Sequence, residues 1–177
     1  SEADRQTISA NMSIAYKVNA RNDLTLATKS SRTDYFGGAG EETPSTTLGS
    51  NITWLHRETK RTDLTLSTGV DWYDYENDIN SEDFVYFLRA GISSELSPRL
   101  TVSAGAGVRL LDSYEDGALP GDDNIHTTEL GGLANLGFTY SMKRGSFSGT
   151  ADYGLSPNSD GQLETSLGVG LAFVHQI

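Results

Sequence analysis

Cysteine is absent from this chain, so neither a disulfide framework nor a thiolate metal site is available to it. Basic residues are in short supply, with 13 Lys and Arg against 24 Asp and Glu, a formal net charge of −11. That balance works against a nucleic-acid partner, because neutralising phosphates needs a basic surface. Proline is limited to four residues and histidine to three, which leaves few candidates for a general base. No stretch approaches the roughly 20 consecutive apolar residues that a membrane helix needs. The mean hydropathy of −0.39 also has a soluble look. Neither absence excludes a membrane β-barrel, whose strands turn only every second residue toward lipid. The opening "SEADRQT" reads as a loop rather than a signal peptide, so any export signal is expected to have been removed or to lie outside the sequence.

What is present is glycine, 19 residues of it, together with many Ser and Thr in a recurring phrase. "DLTLATKS" at 23–30 returns as "DLTLSTGV" at 63–70 and "RLTVSAGA" at 99–106, and "GSFSGTAD" at 145–152 is a looser copy. Repeats of about this period also occur in propellers, which need four short strands per repeat. Each repeat here holds two long alternating runs, which is one hairpin. The chain therefore reads as a meander of hairpins.

The alternation has period two. Ile8, Ala10, Met12, Ile14, Tyr16 and Val18 share one face, and Ser9, Asn11, Ser13, Ala15 and Lys17 the other. Leu100 to Leu110 and Leu167 to Phe173 repeat the pattern, with Gly, Ser and Thr between the apolar residues. Nine strands are expected, at 6–19, 23–35, 46–58, 63–75, 83–97, 99–112, 127–143, 145–156 and 163–177. Most reach about 11 residues or more, the length of a tilted membrane-spanning strand, whereas ordinary globular strands run about 5–6.

The polar face indicates the environment. A water-exposed face is rich in charge, yet this one is mostly Gly, Ser, Thr and Asn. Its isolated charges, Lys17, Lys29, Arg57, Asp71, Arg89, Arg109, Glu129 and Asp152, are of both signs and are expected to face a lumen. Linkers alternate between tight and long. The tight ones carry Arg21, Lys60, Arg61, Arg99, Lys143 and Arg144. The long ones carry Glu41, Glu42, Asp74, Glu76, Asp78, Glu82, Asp83, Glu115, Asp116, Asp122 and Asp123. Aromatics on the apolar face fall at two levels. Tyr16, Trp54, Tyr140, Phe147 and Phe173 lie near the tight turns, and Trp72, Phe84, Tyr86 and Tyr153 lie toward the long loops, as interfacial girdles do.

With these features the chain resembles bacterial outer-membrane β-barrel proteins, and its last strand, "SLGVGLAFVHQI", is similar to the C-terminal strand of that class. It departs in ending on Ile177 rather than an aromatic residue. The resemblance implies an antiparallel up-and-down transmembrane barrel in a single domain, with long acidic loops outside the cell and short basic turns in the periplasm. Barrels of this class have an even number of strands. The nine visible ones imply ten, with one preceding Ser1, or the last strands of a larger barrel. The implied function is non-enzymatic: a narrow porin-like channel, or a membrane anchor and structural component. The implied partners are outer-membrane lipid, lipopolysaccharide and other envelope proteins.

Two alternatives follow from the same residues. A soluble lipocalin-type barrel would enclose the apolar face and bind a ligand. A hydrolase would need a base, and His56, His126 and His175 are the candidates. Neither His56 nor His126 is followed by the Ser that barrel lipases pair with it, and "DDNIH" at 122–126 lacks the protease-like Asp-x-His spacing. The acidic loops supply oxygen ligands suited to divalent cations, but they match no EF-hand pattern. No cofactor and no resident metal are expected.

Overall fold

A computed structural model describes residues 4–36, 44–75, 81–115, 125–157 and 163–175. All nine expected strands form: β1 (Asp4–Lys17), β2 (Asn22–Phe36), β3 (Ser45–Arg57), β4 (Thr62–Tyr75), β5 (Ser81–Ser97), β6 (Leu100–Glu115), β7 (Ile125–Met142), β8 (Gly145–Pro157) and β9 (Leu163–His175). They make one antiparallel sheet in strict sequence order, with β1 and β9 at its two ends among the described residues. This is an up-and-down meander whose neighbours in sequence are always neighbours in space.

Polar side chains build the tight connections. Asn19 Oδ1 accepts from the backbone N–H groups of Arg21 and Asn22 at 2.9 and 3.0 Å, closing the β1–β2 turn. Thr59 Oγ1 accepts from Arg61 N at 3.1 Å between β3 and β4. Ser97 Oγ accepts from Leu100 N at 3.1 Å around Pro98, next to a register shift at Glu95/Ser97. Met142 pairs directly with Gly145, so Lys143 and Arg144 alone turn β7 into β8. Each tight turn thus fixes the register of its hairpin.

The sheet has two unlike faces. Large apolar residues on one are open to solvent, including Leu130 at 72% and Leu167 at 74%. Among the described residues, every buried one except Gly149 lies on the other, polar face. The sheet therefore curls around its polar side and presents its apolar side outward. This is the reverse of what a lipocalin-type barrel requires.

Candidate functional site

The inner face carries the polar constellation. Register places Lys17, Lys29, Arg57, Asp71, Arg89, Arg109, Glu129 and Asp152 all on it. Lys29 Nζ on β2 meets Asp71 Oδ1 on β4 at 3.0 Å, reaching over β3. Gly49 makes that reach possible: a Cβ there would stand 2.2 Å from Asp71 Oδ1 and 2.4 Å from Lys29 Cε. Arg57 donates to Asp23, one register step away on the neighbouring strand. On this face Thr53 and Ser67 form a cross-strand hydroxyl pair at 3.0 Å, and Thr62 and Ser94 make a similar pair at 3.0 Å on the outer face.

Sequence reasoning missed an apolar knot on this same face. Val85, at 1% exposure, pairs directly with Leu111, at 0%, and Leu133 is also buried. One step along, Ser113 donates its hydroxyl hydrogen to Asp83, whose second carboxylate oxygen is buried without a partner. Asp83 was expected both among the acids of the long linkers and as the first residue of the strand 83–97. β5 begins at Ser81, and register sets Asp83 against Ser113 on the inner face. The available signal was the unbroken apolar run "FVYFL" at 84–88, since a strand buried on both faces does not alternate.

The outer face carries the aromatic residues, and Tyr16, Trp54, Trp72, Phe84, Tyr86, Tyr140, Phe147, Tyr153 and Phe173 all share it. Register rows do not coincide with the two expected levels: Tyr16 and Tyr153 belong to one row although they were assigned to opposite levels. Tyr16 and Trp54 share one row, Tyr140, Phe147 and Phe173 share another six residues away on β7, and Trp72 pairs directly with Phe84.

The three histidines occupy dissimilar places. His56 Nδ1 lies 2.8 Å from Asn22 Oδ1 and its Nε2 3.2 Å from Glu58 Oε2, so both ring nitrogens are engaged. His175 stacks with Phe173, with ring centroids 6.3 Å apart. His126 stacks on Tyr114 at 4.5 Å and contacts Asp112, which also accepts from Thr128 at 3.2 Å and Tyr114 at 3.2 Å. This cluster lies at and beyond the upper aromatic level. There the bond from His126 holds the Asp112 carboxyl below its ordinary range, and Asp112 in turn raises the Tyr114 phenol. The Thr128 hydroxyl thus donates to Asp112, the same carboxylate that His126 contacts.

Among the described residues, no group of three or more His, Asp or Glu could hold a metal ion. Of the acids in 74–83 and 112–123, on which the cation expectation rested, Glu76, Asp78, Asp116, Asp122 and Asp123 lie outside the described residues, whereas Asp74, Glu82, Asp83, Asp112 and Glu115 belong to strands β4 to β6. Asp74 and Glu82 are paired neighbours on the outer face.

Fold and faces together define an antiparallel meander wall, apolar outside and polar inside. No protein-family model matches the chain, and no curated protein sequence matches it. Among solved structures the chain is similar to the ferric-catecholate import receptor Fiu from E. coli K12 in its open form, with a TM-score of 0.54 and 13% identity. The match covers 96% of this chain and 38% of that receptor, so this chain spans well under half the receptor's length. At that identity the likeness is one of fold.

Proposed function

We propose that the chain is a non-enzymatic wall of a bacterial outer-membrane β-barrel, with lipid against its outer face and a narrow porin-like lumen along its inner face. The observation that carries this reading is the exposed apolar face. Ile8, Leu130, Leu136, Leu167, Val169 and Leu171 are each more than 60% open to solvent. An apolar surface of that extent in water would drive association, whereas in lipid it needs no cover. The placement of all nine expected girdle aromatics on that same outer face supports the same reading. So do the four tight turns, which suit the periplasmic side and leave the long acidic loops outside the cell, near lipopolysaccharide and bridging cations. Val85 and Leu111 place apolar bulk on the inner face, which favours a narrow passage.

The chain's two tryptophans, Trp54 and Trp72, both face outward and provide the test. Purified protein is expected to be monodisperse only in detergent. In vesicles containing brominated lipid its tryptophan fluorescence should be strongly quenched. Monodispersity in detergent-free buffer with no lipid quenching would sink the membrane reading. Planar-bilayer recording then separates a channel from an anchor, since an absence of openings leaves only the structural role.

One observation favours a second reading. The likeness to a receptor of which this chain covers only 38% fits a wall that forms part of a larger barrel. Sizing of the intact protein by strand content and mass would distinguish the two.

A further inference from the structure

The cations of the inner face are not equivalent. Lys29 is held by Asp71 at 3.0 Å and Arg57 by Asp23. Arg109 is engaged as well. Arg89, midway along β5, makes no hydrogen bond or ion pair among the described residues and is exposed. Its register neighbours are Ser67 and Gly107, neither of which can neutralise it. Asp152 lies three strands away on β8 in the adjoining row, as the register partner of Asn135.

Arg89 borders a groove of about 250 Å³ on the inner face. Its walls are hydroxyl and amide groups, from Thr65, Ser67, Ser93, Ser103 and Asn135. Its floor is glycine. A Cβ at Gly105 would stand 2.4 Å from Asn135 Oδ1, and one at Gly91 would stand 2.7 Å from Thr65 Oγ1. Any larger residue at either position would displace the polar group that overhangs it. A hollow thus lies beside an uncompensated guanidinium, ringed by neutral hydrogen-bonding groups and with no carboxylate among its lining residues.

We propose that this groove binds a small soluble oxyanion, a carboxylate or phosphate group, through Arg89. A guanidinium presents paired N–H donors in a plane, a geometry that matches two oxygens of such a group. Hydroxyl donors from Ser67, Ser93 and Ser103 can take the remaining lone pairs. In a chain with net charge −11, an isolated cation within the curl is a local attractor for anions that the rest of the molecule repels. The proposal rests on the reading of the inner face as the wall of a water-filled lumen, and it names the class of solute that would pause there.

The test uses inorganic phosphate with the intact protein in octyl glucoside at constant ionic strength, read by broadening of the phosphorus-31 resonance. The native protein is expected to broaden it saturably. Arg89→Gln should weaken the apparent affinity about tenfold or more, as loss of charge-assisted hydrogen bonds does. Gly105→Ala, which keeps the charge but crowds Asn135, should weaken it by a smaller factor. Arg99→Gln, the same charge change at a tight turn, should bind as the native protein does. No saturable broadening by the native protein overturns the proposal, as does equal broadening by Arg89→Gln or equal loss in Arg99→Gln. Detergent dependence in the same preparation reports separately on the membrane reading, because phosphate can be titrated whether or not detergent proves necessary.

Discussion

The upper and lower halves of the inner face are built on different rules. Toward the long connections, β4 to β7 pack Val85 against Leu111 and bury Asp83 with Ser113. Toward the tight turns, the same strands offer Gly91, Gly105 and Gly107 and leave Arg89 open. One half is a small apolar core around Val85 and Leu111, and the other holds a polar groove beside Arg89, with Leu133 buried in the same row. The difference shows that the inner face follows no single rule along its length. The inner face is free to fill its space with carbon or leave it to water.

The sharpest way to break that contrast is to hollow out the filled half. Leu111→Ala removes a fully buried side chain, and its cost in a urea titration of the folded protein should be about 2–5 kcal/mol. A cost near zero would mean that Leu111 packs against nothing and that the two halves are alike. The next effect compares adjacent residues of β5 on opposite faces. Leu88→Arg places a charge in the middle of the apolar band and should cost about 2–4 kcal/mol in lipid. Arg89→Leu, one residue along but on the open inner face, should stay within about 0.5 kcal/mol. Equal effects from the two would remove the distinction between faces.

Much of this was legible in the residues. Most of the outer face follows from period two, because apolar residues recur there at alternate positions along each strand. The four tight turns carry their own signals in Asn19, Thr59, Pro98 and the Lys143–Arg144 pair, which is why strand limits came within about three residues of those observed. The inner face was legible only as a list of charges. Lys29 and Asp71 are 42 residues apart, and their meeting depends on β3 lying between them with a glycine at the crossing point. Alternation cannot reveal that, since it describes one strand at a time. The knot of Val85 and Leu111 was obscured for a related reason: each sits beside an apolar residue of the outer face, and the eye assigns both to one side.

Gly49 gives a finer test of how the inner face is wired. Gly49→Ala puts a methyl group where Lys29 and Asp71 cross, so the ion pair must open. Lys29 is half-exposed, and water screens much of its attraction to Asp71. The expected loss is therefore about 1 kcal/mol. In a double-mutant cycle with Asp71→Asn the two losses should not add, because both remove the same contact. Additive losses would show that Gly49 serves backbone packing rather than the ion pair.

The smallest expected effect lies at the top of the filled half, beyond the upper aromatic level. Burial raises the Asp83 carboxyl above its usual value of 3.8, against a weaker opposing pull from the Ser113 hydroxyl. The protonated acid is thus favoured more by the folded state than by the unfolded chain. Its contribution to stability is fully present below the unfolded value and is lost as pH rises through the folded one. Native protein should therefore lose part of its urea resistance as pH rises above the usual carboxyl value of 3.8. Asp83→Asn keeps the shape and the Ser113 bond but cannot ionise, so it should flatten that part of the profile and exceed the native protein in stability at the alkaline end. Identical profiles would mean that Asp83 ionises as freely as a carboxylate in water, which its position beside Ser113 and the Val85–Leu111 pair argues against.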